Sequence, residues 1–418
     1  MTNLLSPRLS LRLPLTLATA AVVALTGTLA ATPAQAGSPA PAQGAAGVAQ
    51  APAKDVKLVR DSGSVVRAAN VPVLDAPSAR TTAAGSSVSA PMNTSRFKMV
   101  AATWRGAAEP KVSVRVRRAG EWSRWTPLET LSDGPNGKDP RGTDLKWVGP
   151  ANGVRIRNTG PATRGLELVL INPGRKASDR TVRPHRGAVM SPGSSKSGKR
   201  SARRSRTPWA PMPVLFSRRK WGANNAWRNG KPRYNRQMRQ VHVHHTVNGN
   251  NYSRADVPGI LRGIYRYHTK SLGWFDVGYN FLVDKFGRIW VGRSGGPRVL
   301  VRGAHTLGFN QNSVGIAVIG NYDLVRPPPK VIRSIVRISA WKLDKAGKKR
   351  ARGRVWMRSQ GSDRFRNGRL VRLPSIDGHR DTNQTACPGS KLYAKLPAIR
   401  RRAQARINQF PLVARKKS

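Results

Sequence analysis

The amino-acid sequence predicts an α/β fold: a mixed β-sheet covered by helices in three layers, preceded by a small antiparallel β-sandwich. Three observations carry this. Between residues 56 and 172 apolar side chains recur at every second position, and from about residue 208 such runs alternate with apolar residues at helical spacing. A stretch dominated by lysine and arginine separates the two regions. Strands and helices alternating over about 190 residues are the pattern of a sheet with helices laid on its faces.

The sandwich region is read from Val112, Val114 and Val116, from Val154 and Ile156, and from Leu166, Leu168 and Leu170, each run alternating with polar residues. The cluster Asp133-Gly134-Pro135-Asn136-Gly137 marks a turn between strands. Trp104, Trp122, Trp125 and Trp147 fit either a carbohydrate-stacking platform or core packing, and packing is the commoner use of tryptophan at strand spacing. In the second region Gln240 to His245 reads as a buried strand. A helix is expected from Asp256, with Ile260, Leu261, Ile264, Tyr265 and His268 on one face and Gly273 closing it. Tyr279 to Asp284 and Arg288 to Gly292 form a hairpin about Lys285-Phe286-Gly287, and Ser313 to Ile319 is a further strand. Lys330 to Asp344 is a second helix, with Val331, Ile332, Ile335, Val336 and Ile338 facing inward.

Arg8 and Arg12 precede an apolar stretch from Leu13 to Ala31, and Ala34-Gln35-Ala36 ends it with the small-x-small pattern of a cleavage site. Residues 1–36 are therefore expected to be a removed signal peptide, with no transmembrane segment left in the mature chain. Residues 37–55 form an Ala/Pro-rich leader that lacks the apolar content to order itself. The sandwich spans 56–172, and a basic linker spans 173–207, where eleven Lys/Arg meet one Asp. The second domain covers 208–405, and 406–418 is a basic tail.

The chain of 418 residues holds 75 Lys+Arg against 19 Asp+Glu, a formal charge of +56. Such a surplus attracts any dense polyanion. No nucleic-acid-binding signature accompanies it, so the expected partners are the anionic polymers of a cell wall, and no specific nucleic acid.

The chemistry concentrates on a lone thiol. Cys387 is the single cysteine, and in an exported chain it has no partner for an internal disulfide. It stands eight residues after His379, and a second source of imidazole lies upstream in His242-Val243-His244-His245. Two imidazoles and a thiolate are the ligand set of an open Zn2+ site that keeps its fourth position for water. Alternation puts His242 and His244 on one face and His245 on the other, which leaves the choice of ligand open. Taken singly, each of these residues is more simply a packed histidine or an inert thiol; their combination favours metal.

Several blocks occur together in one order: Ser217-Arg218-Arg219-Lys220-Trp221-Gly222-Ala223; His244-His245-Thr246; Gly273-Trp274-Phe275-Asp276-Val277-Gly278-Tyr279-Asn280-Phe281; Gly303-Ala304-His305; Asn312-Ser313-Val314-Gly315-Ile316; Gly378-His379-Arg380-Asp381; and Thr385-Ala386-Cys387-Pro388-Gly389. From Trp209 to Ala405 the chain thereby resembles the zinc N-acetylmuramoyl-L-alanine amidases of the peptidoglycan recognition protein and bacteriophage lysozyme type. The resemblance implies His244, His379 and Cys387 as zinc ligands, Tyr279 as the active-site tyrosine, and His305 as a cleft-wall contact to substrate. At the position two residues before the cysteine, where the phage type carries a lysine, this chain has Thr385, which offers hydrogen bonding but no charge. The implied activity is hydrolysis of the amide between N-acetylmuramic acid and L-alanine of peptidoglycan; with the signal peptide and the basic charge, the expectation is a secreted, wall-associated protein, taken as a monomer. Non-catalytic members typically lack the cysteine, which is present here; a peptidoglycan-binding protein without turnover is the alternative. A polyanion-binding surface protein with structural histidines is a third reading.

Two other motifs carry less. Gly292-Arg293-Ser294-Gly295-Gly296 matches the G-x-S-x-G pattern, but Pro297 follows where the helix of a nucleophile elbow should start. No H-E-x-x-H is present, and no glutamate offers itself as a general base.

Overall fold

Period-two runs in the N-terminal part pair into one antiparallel sheet that folds over its own apolar face. The computed structural model describes residues 54–73, 80–81, 87–131, 140–183, 209–347 and 350–410, all within one compact unit, Gln50–Ser418. The signal, most of the leader, the turn at 133–137, the linker beyond residue 183 and the end of the tail lie outside the described residues.

The main strands are β1 (Arg67–Pro72), β2 (Met92–Arg105), β3 (Val112–Arg118), β4 (Lys146–Asn158) and β5 (Arg164–Asn172), ordered β1-β5-β2-β4-β3. Val112, Val114, Val116, Val154, Ile156, Leu166, Leu168 and Leu170 all enter one core with Phe97, Val100 and Trp104, as the alternation requires. Register shifts along the β4–β2 pairing at Trp147, Ala151 and Gly153 bend the sheet. Val169 and Ile171, which alternate with those leucines, are buried as well, because the outer face of β5 and β2 is covered by a helix of the second domain. That explains the nearly unbroken apolar run at Leu168–Ile171.

In the second domain six strands follow: β6 (Leu215–Phe216), β7 (Gln240–His245), β8 (Phe281–Val283), β9 (Ile289–Val291), β10 (Ser313–Val318) and β11 (Ile376–Gly378), ordered β6-β9-β8-β10-β7-β11. Every pairing is parallel except the β8–β9 hairpin. Parity sorts the faces: Val241, Val243, Phe281, Val283, Val314 and Ile316 face helices α2 (Pro329–Lys345) and α3 (Leu396–Asn408). Leu282, Ala317 and Ile319 face helix α1 (Val257–Arg266). The expected helix starting at Asp256 is α1; past Arg266 its last turn widens into a π-helix at Tyr267–Ser271, which carries His268, before Gly273 at φ 66° reverses the chain.

Helix α1 is the middle layer of the molecule. Val257, Ile260, Leu261 and Ile264 share one core with Met99, Ala101, Val169 and Ile171 of the first sheet and with Leu282 and Ala317 of the second. Polar contacts join the two domains: the buried Tyr267 hydroxyl donates to the Thr143 carbonyl at 2.7 Å, and the partly buried Arg266 pairs with Asp61 at 3.0 Å. Residues 173–183, where the basic linker was expected to begin, pack against α1. Asp179, in the helical turn Ala177–Asp179, accepts two hydrogen bonds from the Arg262 guanidinium, at 2.7 and 3.1 Å. The remaining N–H groups of Arg262 reach the carbonyls of Trp221, Pro173 and Gly174. Among the described residues no helix is long and apolar enough to cross a membrane.

Candidate metal centre

The polar face of β7 becomes a site because β11 brings a carboxylate to it and β10 leaves room with small residues, Gly315 opposite His242 and Ala317 opposite His244. His242 and His244 point away from the valines of the same strand, and all six residues of β7 are buried. In register with His242 on β11 is Asp377, and the His242 Nδ1 to Asp377 Oδ1 distance is 2.7 Å. Asp377 also accepts from the Gln240 side chain at 2.7 Å. Burial pushes the Asp377 carboxyl up to about 6, with His242 opposing the rise. His242 is paired with a carboxylate through Nδ1, whereas His244 lies beside the thiol.

His379 follows β11 directly, and its loop folds back on itself. The Arg380 N–H donates to the Cys387 carbonyl at 2.9 Å, and the Thr385 hydroxyl accepts from the Cys387 N–H at 3.2 Å. At Gly378 a Cβ would lie 2.7 Å from Pro388 Cδ, so the absence of a side chain there lets the cysteine loop close against the strand. Cys387 Sγ comes to 3.7 Å from His244 Nδ1, although the two residues are 143 apart in sequence. It also accepts the His245 N–H at 3.4 Å. One donor atom each from His244, His379 and Cys387 lies within 4.8 Å of the others, and all three residues are buried. Two donors on one tetrahedral zinc are separated by about 3.5 Å, so the thiol–imidazole distance fits that ion. Burial, and then His379, drive His244 well below its ordinary value, which keeps it in the neutral form that binds metal.

The groups behind these three donors were not legible as such in the sequence. His244 Nε2 lies 3.4 Å from the Thr306 hydroxyl, which also sits 3.0 Å from His305 Nδ1, and Asn310 accepts from the backbone N–H groups of both His305 and Thr306. His305 was expected on the cleft wall in contact with substrate. It is instead 0% exposed, with its ring 5.2 Å from that of His244 and 5.8 Å from that of His242. Its ring fits because position 315 is glycine; a Cβ there would stand 2.4 Å from the imidazole. It shares the Thr306 hydroxyl with His244. Tyr279 is 4% exposed, with its ring 5.4 Å from that of His244. His268 lies on the far side of Tyr279, at 6.0 Å between rings, stacks on Trp274 at 4.4 Å and accepts the Gly278 N–H through Nδ1. Burial holds His268 down to about 3, so it remains a neutral acceptor.

The G-x-S-x-G segment is a structural turn after β9. The Ser294 N–H donates to the buried Asp276 carboxylate at 2.9 Å, Arg293 donates to the Val277 carbonyl at 2.8 Å, and Arg218 pairs with Asp276 at 3.0 Å. Of the four tryptophans considered together, Trp104 and Trp147 are core residues, whereas Trp122 and Trp125 are only partly buried.

Comparison with known proteins gives two family matches. A model described as N-acetylmuramoyl-L-alanine amidase matches residues 234–390, and one described as Rv3811 N-terminal galactose-binding domain-like matches residues 52–185. Peptidoglycan recognition protein 1 of Bos indicus is 31% identical over 185 residues, covering 43% of this chain and 80% of that protein. Peptidoglycan-recognition protein SC1a of Drosophila melanogaster is 28% identical over 183 residues, covering 44% of this chain and 83% of that protein. Among solved structures, wild-type Drosophila PGRP-LB is similar at 27% identity with a TM-score of 0.35, covering 44% of this chain and 91% of that one.

Proposed function

Through its C-terminal half the chain belongs to the family of peptidoglycan-recognition proteins and N-acetylmuramoyl-L-alanine amidases, and on that premise we propose that it is a zinc-dependent amidase of peptidoglycan. The bond broken is the amide between the lactyl group of N-acetylmuramic acid and L-alanine. The observation that carries the proposal is the convergence of His244, His379 and Cys387, a complete set of three donors of the types that leave a catalytic zinc one open position. Bound there, zinc supplies Lewis acidity and lowers the pKa of a water molecule to near neutrality.

The protein groups have separate tasks. His244 and His379 offer neutral imidazoles. Cys387 offers a thiolate that the His245 N–H steadies. Thr385 acts by holding the cysteine loop through the Cys387 N–H. Tyr279 is assigned the phenolic donor for the oxyanion that forms on the scissile carbonyl, where a preorganised donor gains most as charge develops. His305 and Thr306 orient His244, as groups behind a metal ligand do. Export by residues 1–36, location at the cell wall and a monomeric state go with this proposal.

The names of the curated relatives favour a second reading, recognition of peptidoglycan without turnover. One experiment separates the two. Purified mature protein is assayed for bound zinc and for release of dye from labelled cell walls, alongside Cys387→Ser. The proposal expects one zinc per chain and dye release, both lost in the variant. Wall binding without release, unchanged by the substitution, supports recognition alone.

A further inference from the structure

The first domain carries a surface whose chemistry the zinc centre does not use. On the outward face of β3 and β4, opposite the core valines, stand Arg115, Arg117, Arg155 and Arg157, all partly buried. Trp122 and Trp125, from the segment that turns back along β3, lie among them. Arg117 and Arg115 stack on Trp122 at 5.6 and 5.1 Å from the ring centre, and Arg115 and Arg157 stack on Trp125 at 5.3 and 4.9 Å. The result is an alternating row of guanidinium and indole: 117, 122, 115, 125, 157.

Like charges crowd this face. Arg115 and Arg155 sit directly opposite each other across the antiparallel pair, an arrangement of like charges that destabilises a sheet. Burial, and then Arg115, lower the basicity of Arg155. Among the described residues none of the four arginines has an acidic partner within ion-pair distance. The Nε atoms of Arg115 and Arg157 are buried and, among the described residues, find no hydrogen-bond partner. Arg117 reaches the Asn93 side chain and Arg155 the Ser89 carbonyl, which fixes both in place but neutralises neither.

From this geometry we propose that the Arg/Trp face of β3 and β4 binds a polyol-phosphate strand linked by phosphodiester groups. Planar guanidinium groups held by stacking present their N–H edges to tetrahedral anions in bidentate fashion without losing side-chain freedom on binding. The indoles between them hold the guanidinium planes in place through cation–π contact. Single-stranded nucleic acid is less well matched, since it needs open aromatic faces for its bases and these indoles are covered on at least one face by arginine. The surface lies on the first domain and its ligand requires no metal, so the proposal stands apart from the amidase reading.

The test uses the full mature chain and three probes: poly(ribitol phosphate), neutral dextran and a DNA duplex. Affinities are measured over a salt series for the wild type, for Arg115→Gln/Arg157→Gln and for Arg155→Gln. The expected result is a tenfold or greater loss of affinity for poly(ribitol phosphate) in the double variant. Its log–log salt slope should fall by about two, one for each phosphate contact removed. DNA affinity should change less than threefold, because it draws on the charge of the whole chain, and dextran should not bind. If the double variant melts early, Arg155→Gln decides the matter: relief of the repulsion with Arg115 offsets the lost hydrogen bond to the Ser89 carbonyl, so its melting temperature should stay near that of the wild type while polymer affinity drops. Unchanged affinity for poly(ribitol phosphate) in a folded variant overturns the proposal, as does an equal or larger loss for DNA.

Discussion

Asp179→Asn is expected to be among the most damaging conservative substitutions in this protein. Arg262 is 1% exposed and Asp179 2%, and the five N–H groups of the guanidinium are all used, two on the carboxylate and three on main-chain carbonyls. The amide keeps the volume but removes the charge and points a donor at a donor. A buried cation left without its partner costs about 3–5 kcal/mol. Arg262→Met should cost more, because it strands the carboxylate and also leaves the carbonyls of Trp221, Pro173 and Gly174 without their donor, at about 1 kcal/mol each. Since these contacts tie residues 173–179 to α1, and α1 lies between the two sheets, the loss should be cooperative. Urea unfolding followed by fluorescence measures the stability, and limited proteolysis at 173–183 reports the segment itself. If Asp179→Asn lies within about 1 kcal/mol of the wild type, the clamp does not hold the domains together and the reasoning fails.

Two further outcomes follow from the zinc neighbourhood. Gly315→Ala puts a Cβ 2.4 Å from the His305 ring; overpacking of this kind costs about 1–3 kcal/mol, and displacement of His305 behind His244 should weaken zinc about 10- to 100-fold, read by competition with a chelator. Unaltered zinc affinity would show that His305 does not position the ligand. His268 is held down to about 3 in the fold against an ordinary 6.5, so the stability it contributes is complete above pH 6.5 and is lost as the pH falls toward 3. At pH 5 the loss is about 2 kcal/mol at 1.36 kcal/mol per pKa unit. His268→Gln keeps an acceptor for the Gly278 N–H without titrating, so the stability gap between wild type and variant should narrow by that amount between pH 7 and 5; a constant gap contradicts the assignment.

Most of the second domain was legible because its signals are local. Gln240–His245 is the strand that was read, Ser313–Val318 and Pro329–Lys345 agree within one residue at each end, and the Lys285-Phe286-Gly287 turn joins the expected hairpin. Leu166, Leu168 and Leu170 gave the inward face of β5 correctly. That Val169 and Ile171 are buried too was not legible, since the helix that covers them begins more than eighty residues later. The same limit applied to the histidines. Parity placed His242 and His244 together, but only the register of β11, which sets Asp377 against His242, gives them different partners. His305 reads as a cleft residue from its motif, and its burial depends on Gly315 of a neighbouring strand. The alternating arginines of β3 and β4 were visible as solvent-side positions. Their stacking on Trp122 and Trp125 depends on how the following segment turns back, which no local pattern specifies.

The central claim is that the three converging donors serve hydrolysis of one amide. Mass spectrometry of muropeptides incubated with the zinc-loaded mature protein tests it most directly. The account predicts products in which muramic acid carries a free lactyl carboxyl and the stem peptide begins with a free L-alanine amino group, with neither formed by Cys387→Ser. Muropeptides recovered intact, or cut within the glycan or the peptide instead, would contradict it.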